Sequence, residues 1–246
     1  KIAGHVGKHT DRYFEEAKRF LPGGVDSPVR AFGAVGGSPI FFQKGKGAYL
    51  YDVDGNEFID YSMSLGVIIL GYADPKVNAA AKSGIDEGLI YTLSCPDEAI
   101  LAEKLIKVIP CAEMVRFGKN GSDACEGAVK LARNYTKKLK VITVGGYHGF
   151  HDWFIASTPR NKGIPGIMSE WILPHNYNDI EAIEKTIKEQ AGEIAALIIE
   201  PVPANNGLLL QTPEFLEFLR KICTKHKTLL IFDEVISGFR IGFTGA

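Results

Sequence analysis

Short apolar runs alternate with amphipathic segments through the second half of the chain. The segments with helical spacing lie near 121–135, 179–190 and 213–226. The strand-like runs are MVRF (114–117), KVITV (140–144), AALIIE (195–200) and LLIFDE (229–234). This alternation is typical of a largely parallel sheet covered by helices, so we predict an α/β domain. Because such sheets bind ligands at the carboxyl ends of their strands, the residues after each run form the candidate site.

The first third of the chain follows a different pattern. Residues 10–21 have helical spacing with Thr10 as the capping residue, and residues 22–47 are rich in Gly and Pro, as loops are. Residues 48–61 place Asp-Gly between two β-rich arms, which predicts a hairpin. A helix and a hairpin are therefore expected ahead of the α/β domain.

Two more helices are predicted between these regions. Asp74-Pro75 sets a capping residue before a proline at the first helical position. Residues 97–109 carry apolar side chains at helical spacing. We expect an N-terminal segment over 1–70, followed by a large domain over 71–246.

Composition and charge narrow the classes of function. The 246 residues include 28 Lys and Arg against 29 Asp and Glu, a formal net charge of −1, so no basic field favours nucleic acid or an anionic membrane. The longest apolar run, at 67–70, is too short to span a bilayer. The four cysteines have no C-x-x-C spacing or His cluster, so no metal site is expected, and free thiols suggest a reducing, cytoplasmic location.

The residues after the first predicted strand are suited to an anion. Asn120, Gly121 and Ser122 lead directly into a predicted helix. Glycine lets a ligand approach the backbone, serine supplies a hydroxyl, and the free N–H groups of a helix start favour a phosphate. An ordinary capped helix start has the same pattern, and both interpretations stay open.

The residues after the second and third strands are suited to a flat ring. Tyr147 and His148 can stack on a ring or bond to it, or they can be ordinary loop residues. Glu200 ends an apolar strand, where a charge needs a partner, and Asn205 follows in a turn. Taken alone, these two residues are better explained by a salt bridge and turn chemistry.

The residues after the fourth strand point to a cation. Asp233 ends a buried strand and is costly there unless a cation pairs with it. A protonated pyridine nitrogen is such a cation, with Val235 placed to pack on the ring. The alternative is a metal-binding carboxylate of a nucleotide-binding protein, but the required G-x-x-x-x-G-K-[ST] loop is absent from the sequence.

Taken together, these motifs resemble the class III pyridoxal-phosphate aminotransferases, and within them the glutamate-1-semialdehyde aminomutases. The resemblance runs from about residue 10 to the end of the chain. It rests on LPGGVDSPVRAF (21–32), GAYLYDVDGNEFIDY (47–61), NGSDA (120–124), YHG (147–149), EPV (200–202) and DEVISGFR (233–240).

The resemblance implies a fold-type I α/β protein, usually a homodimer, with residues 1–70 in the small domain. It implies pyridoxal or pyridoxamine 5′-phosphate as the cofactor and amino-group transfer as the reaction. By the family pattern Asp233 is catalytic, as the partner of the pyridine nitrogen, and Ser27 and Arg30 hold a substrate carboxylate. The remaining residues that would contact the cofactor are Asn120, Gly121, Ser122, Tyr147, His148, Glu200, Asn205 and Val235.

Departures from the aminomutase pattern concern the substrate. Leu65 stands where those enzymes have a Trp, and the phosphate loop reads Asn-Gly-Ser-Asp where the family has Ser-Gly-Thr-Glu. Residues 147–165 also resemble aminotransferases of surface-sugar or secondary pathways. Conversion of glutamate 1-semialdehyde to 5-aminolevulinate is the first expectation, and an aminotransferase acting on a keto-sugar or another secondary-pathway substrate is the alternative.

The family's Schiff-base lysine is not in this chain. It lies beyond the DEV motif in the family, whereas no lysine follows Lys227 here. We expect these residues to be part of a longer protein that carries the lysine and the rest of the large domain. The alternative is a lysine-less binding module on the same fold.

Overall fold

The computed structural model describes residues 7–246. These residues form two compact units that divide between Leu93 and Ser94. The boundary after residue 70, between the N-terminal segment and the large domain, stays a prediction. None of the helices over 7–246 is long and apolar enough to cross a membrane.

The first unit contains helices α1 and α2 and a small antiparallel sheet. Short 3₁₀ turns at Pro22–Gly24 and Pro28–Ala31 interrupt the loop that follows α1. The strands pair in the order β1-β2-β3. The elements are α1 (Lys8–Ala17), β1 (Phe42–Lys46), β2 (Tyr49–Asp52), β3 (Glu57–Ile59) and α2 (Pro75–Glu87).

The predicted hairpin and the predicted start of α2 are confirmed. β2 pairs antiparallel with β3 across the Asp54–Gly55 turn, and Gly55 has φ 85°, a left-handed conformation that glycine adopts without strain. At α2, the Asp74 carboxylate accepts hydrogen bonds from the N–H groups of Lys76 and Val77.

The predicted cap of α1 is wrong. Thr10 lies inside the helix, and Gly7 is the capping residue without a side-chain hydrogen bond. Instead, the Asp54 carboxylate on the hairpin turn accepts the N–H groups of His9 and Thr10, both at 3.0 Å. The predicted end at residue 21 is also late, because Leu21 is extended before Pro22 and cannot continue the helix.

The second unit is a parallel sheet with helices on both faces. Its strand order is β5-β4-β6-β7, and every pair is parallel. A 3₁₀ turn at Gly166–Trp171 leads into β5. The elements are α3 (Pro96–Val108), α4 (Gly121–Thr136), β4 (Lys140–Val144), α5 (Asp152–Ile155), β5 (Ile172–His175), α6 (Ile180–Gln190), β6 (Ile194–Ile199), α7 (Pro213–His226) and β7 (Leu229–Phe232).

The α/β prediction is confirmed, with two differences in its strands. The run 114–117 forms no strand, and Met114 is 91% exposed. An apolar run becomes a strand only where a neighbour supplies backbone hydrogen bonds, and no strand of the described residues pairs with this one. Conversely, β5 was not predicted, because it contains Pro174 and proline is uncommon inside strands. Proline is tolerated there because β5 is an edge strand.

Two apolar layers hold the helices on the sheet. All six residues of β6 are buried, and successive side chains point to opposite faces. Leu197 and Ile199 pack with α6 and α7 on one face. Ala196 and Ile198 pack with Val129 of α4 and with α5 on the other. A strand covered on both faces is apolar throughout, which is why this run was recognisable in the sequence.

Candidate functional site

The register of the sheet brings four strand ends to one edge. Val144 of β4 aligns with His175 of β5 and with Ile199 of β6, and Ile199 aligns with Phe232 of β7. Because all four strands run parallel, the segments that follow them leave the sheet on the same side. The predicted residues after β4, β6 and β7 therefore lie at a common edge.

Asp233 is the buried charge at this edge. It is 6% exposed, and its Oδ2 lies 2.8 Å from Nδ1 of His148. Its Oδ1 accepts the backbone N–H of Val235 at 3.1 Å. Burial by itself would raise the pKa of Asp233, but the hydrogen bonds outweigh burial and hold the pKa below its ordinary value. The carboxylate is therefore stabilised in its ionised form.

Tyr147 and His148 are consecutive but point to different surroundings. Tyr147 is 43% exposed, whereas His148 is fully buried. Phe154 packs edge-on against both rings. Its ring centroid lies 5.9 Å from that of Tyr147 and 5.2 Å from that of His148. Tyr147 can present a ring face to a ligand, while His148 faces Asp233.

Glu200 fixes the loop that carries Tyr147. Its Oε1 accepts the Tyr147 N–H at 2.9 Å, and its Oε2 accepts the Ala204 N–H at 3.1 Å. These two bonds satisfy a carboxylate that is only 3% exposed. Glu200 thus ties the segment after β4 to the turn after β6.

The start of α4 forms the second part of the site. The Asn120 side chain accepts the Asp123 N–H at 3.0 Å, and the Ser122 hydroxyl accepts the Phe150 N–H at 3.3 Å. Among the described residues, the N–H groups of Gly121 and Ser122 have no protein acceptor, as expected for the first turn of a helix. They are donors available to an anion.

Two glycines allow the close contacts around this helix start. Gly149 has φ 105°, and a Cβ there would lie 2.7 Å from the Ser122 hydroxyl. A Cβ on Gly121 would lie 2.8 Å from a methyl group of Val235. Larger residues would push apart the start of α4 and the segments after β4 and β7. The glycines thus let the start of α4 lie close to the segments that carry Tyr147 and Val235, so that the three form one site.

The remaining predicted residues are Asn205, Ser27 and Arg30. Asn205 is exposed in the turn after β6. Ser27 and Arg30 belong to the first unit, where the Ser27 carbonyl accepts the Arg30 N–H at 2.9 Å and Arg30 is exposed. Leu65, at the family's Trp position, is 76% exposed and has φ 58°. Substrate binding by Ser27 and Arg30 stays a prediction.

Sequence reasoning missed Cys125 and Tyr177. The Cys125 thiol lies 3.5 Å from Asp233 Oδ2. It sits three residues after Ser122, a spacing that places both on one face of a helix. Tyr177 follows the overlooked strand β5, and its hydroxyl is buried without a partner among the described residues. Burial, and then the charges of Glu200 and Asp233, raise the pKa of this phenol.

The arrangement has a definite chemical character. The helix start offers N–H and hydroxyl donors to an anion, Tyr147 offers an aromatic face, and Asp233 offers an ionised carboxylate to a cation. No group of three metal-ligating side chains occurs within residues 7–246. The donor set fits a planar, phosphorylated molecule with a basic ring nitrogen.

Comparison with known proteins gives the relationships of the chain. A family model described as aminotransferase class III matches residues 32–246. Glutamate-1-semialdehyde 2,1-aminomutase 2 of Lachnoclostridium phytofermentans is 44% identical over 96% of this chain and 58% of its own length. The aminomutase of Acetivibrio thermocellus is also 44% identical, over 95% of this chain and 57% of its own length.

Solved structures agree with this relationship. An omega-transaminase from Sphaerobacter thermophilus superposes with a TM-score of 0.91 at 32% identity, covering 97% of this chain and 57% of its own. A transaminase solved with PLP bound gives a TM-score of 0.90 at 30% identity. The chain thus spans somewhat over half the length of the relatives it matches.

Proposed function

We propose that this chain, which belongs to the class III aminotransferase family, binds pyridoxal or pyridoxamine 5′-phosphate and serves in amino-group transfer. The observation that carries the proposal is the ionised, nearly buried Asp233 at the strand edge that also holds Tyr147 and the start of α4. A transaminase of similar fold is described with PLP bound, which supports the same cofactor here.

The residues that would hold the cofactor follow from their chemistry. Gly121 and Ser122 would bind the phosphate through N–H groups and the hydroxyl, with Asn120 ordering the helix start. Tyr147 would stack on one face of the ring and Val235 would pack on the other. Glu200 would keep Tyr147 in place through its backbone N–H.

The bound cofactor supplies an electron-withdrawing ring that stabilises negative charge on the substrate carbon. Asp233 would hold a proton on the ring nitrogen, because an ionised carboxylate favours the protonated form of a neighbouring base. The burial of Asp233 strengthens that electrostatic interaction, because charges interact more strongly away from water. Asp233 is therefore the catalytic residue that this chain contributes.

We propose the reaction of the aminomutases, from glutamate 1-semialdehyde to 5-aminolevulinate. Relatives with that name are 44% identical across nearly the whole chain. Ser27 and Arg30 would hold the substrate carboxylate, since an arginine fork matches its two oxygens. The alternative is an aminotransferase acting on a keto-sugar or another secondary-pathway substrate. Leu65 at the aminomutases' Trp position and the similarity to an omega-transaminase favour an aminotransferase over an aminomutase.

The substrate classes are distinguished by the need for an amino donor. An aminomutase converts glutamate 1-semialdehyde without a second substrate once it carries the aminated cofactor. An aminotransferase stops after one turnover unless a donor is added. Steady production of 5-aminolevulinate from glutamate 1-semialdehyde alone supports the first proposal. A single turnover that resumes with added donor supports the second.

The cofactor proposal is tested by absorption spectroscopy on the full gene product. Pyridoxal phosphate is added, the spectrum is recorded, and borohydride is then applied before denaturation. A visible band indicates an imine with a lysine if borohydride removes the band and the cofactor then stays attached to the denatured chain. Binding without covalent fixation supports the lysine-less binding module, and a spectrum of free cofactor alone overturns both.

A further inference from the structure

Asp233 is met on the same oxygen by two buried side chains from different elements. Nδ1 of His148, in the loop after β4, lies 2.8 Å from Oδ2. Sγ of Cys125, in α4, lies 3.5 Å from the same atom. His148 is fully buried and Cys125 is 6% exposed. A carboxylate at the end of β7 is thus held by two other parts of the second unit.

The direction of both hydrogen bonds follows from the charge of Asp233. An ionised carboxylate only accepts, so the proton lies on Nδ1 of His148 and on the thiol of Cys125. Burial, together with the negative charge of Asp233, raises the pKa of Cys125 to about 12, which keeps the thiol protonated. Cys125 therefore donates to Asp233 as a protonated thiol.

His148 reaches a ligand only through Asp233, and Cys125 contacts the same carboxylate oxygen. His148 has no exposed surface, so a ligand at the strand edge cannot touch its ring. Oδ2 already accepts two side-chain donors, whereas Oδ1 accepts the backbone N–H of Val235. Oδ1 is the oxygen with more unused acceptor capacity among the described residues.

We propose that His148 and Cys125 are positioning residues, which hold Asp233 ionised through Oδ2 and leave Oδ1 to accept a hydrogen bond from the protonated ring nitrogen of a ligand. The inference rests on the proposed function for the identity of the ligand. The anchoring of Asp233 by the two donors rests only on the geometry of the protein. It assigns His148 an indirect role where the family pattern suggested direct contact with the cofactor.

The anchoring is tested in the cofactor-free full gene product by ¹³C NMR titration of the Asp233 carboxyl. Two pairs of variants separate hydrogen bonding from packing: Cys125→Ala with Cys125→Ser, and His148→Leu with His148→Asn. Serine and asparagine each keep a donor near the lost atom. The other charged or titratable groups near Asp233, Glu200 after β6 and Tyr177 after β5, are the same in every variant.

We expect the Asp233 pKa to shift upward in Cys125→Ala and further in His148→Leu, and to return toward its original value in the serine and asparagine variants. Thermal unfolding, recorded in parallel, identifies loss of packing, which would affect both members of a pair. An unchanged Asp233 pKa in both Cys125→Ala and His148→Leu would overturn the proposal.

Cofactor binding is measured separately, so the two proposals fail independently. Pyridoxal phosphate is titrated into each variant, and the pH dependence of the bound spectrum is recorded. If the donors act through Asp233, the pH at which the ring nitrogen loses its proton shifts in Cys125→Ala and His148→Leu and returns in Cys125→Ser and His148→Asn. No binding by the unmodified protein would reject the proposed function and leave the NMR result valid.

Discussion

At the scale of single residues, a buried carboxylate indicates that partners are present, because they must offset the free-energy cost of burying its charge. Asp233 is surrounded by donors that stabilise its ionised form, yet its burial would otherwise favour the neutral acid. Buried charges with such partners cluster at functional sites. The sequence indicated the need for a cation, but only the fold revealed His148, Cys125 and Val235 as donors.

Replacing Asp233 by Ala is expected to abolish turnover while largely preserving the fold. Without the carboxylate the ring nitrogen would lose its proton and the cofactor would no longer stabilise negative charge, a loss of at least about a hundredfold in kcat. Glu234→Gln is the matched control, since Glu234 bonds Ser237 and Ala246 instead. Near-normal kcat in Asp233→Ala would contradict the assigned role.

The lowered pKa of Asp233 predicts a direction for acid stability. A carboxyl whose folded pKa lies below its unfolded value, about 3.9, stabilises the fold above that value. This contribution is lost as pH falls through the folded pKa. Urea unfolding at a series of pH values should show a smaller loss below about pH 4 for Asp233→Asn than for the unmodified protein. Equal losses would argue against the pKa shift.

Replacing Ser122 by Ala is expected to weaken cofactor binding through the phosphate. A hydrogen bond to a charged group contributes about 1.5–3 kcal/mol, which corresponds to roughly a tenfold to hundredfold increase in Kd. Pyridoxal, which lacks the phosphate, is the control ligand. Its affinity should be the same for both proteins, and a parallel loss for both ligands would indicate a structural effect.

At the scale of elements, caps were predictable where they are local in sequence. Asp74, as predicted, and Thr212 each cap the helix that begins at the next residue. The cap of α1 was not, because its acceptor is Asp54, which lies 45 and 44 residues from the donors His9 and Thr10. A long-range acceptor leaves no spacing signal near the helix it stabilises.

The cap of α7 offers a test of element stability away from the site. The Thr212 hydroxyl accepts the Phe215 N–H at 3.2 Å. Thr212→Ala should lower the free energy of unfolding by about 1 kcal/mol, and Thr212→Ser should retain most of it. Chemical denaturation measures both. Equal stability of the two variants would show that the cap contributes nothing.

At the scale of the whole molecule, we predict that the full gene product is a homodimer, as the family resemblance implies. Large apolar side chains are exposed on the described chain, including Leu208, Leu209 and Leu210. Exposed apolar patches commonly mark interfaces between proteins. Light scattering after size exclusion should give twice the chain mass across a wide concentration range. A monomer at micromolar concentration would reject this prediction.

The sequence by itself determined the fold class and the run of helices and strands from β4 to β7 apart from α5 and β5. It also placed polar and charged residues after β4, β6 and β7. Periodicity and local caps carry that information because they depend on neighbouring residues. It did not determine whether 114–117 is a strand, because pairing requires a distant partner. Nor could the sequence show that Tyr147 is exposed while the adjacent His148 is buried.

Only the tertiary structure decided those points. The alignment of β4, β6 and β7 brought residues some thirty to ninety positions apart to one edge, a proximity set by parallel pairing. Burial then separated the exposed Tyr147 from the enclosed His148. It also placed the Cys125 thiol, which no motif had marked, against Asp233. Long-range packing, and not local pattern, assigned these residues their partners.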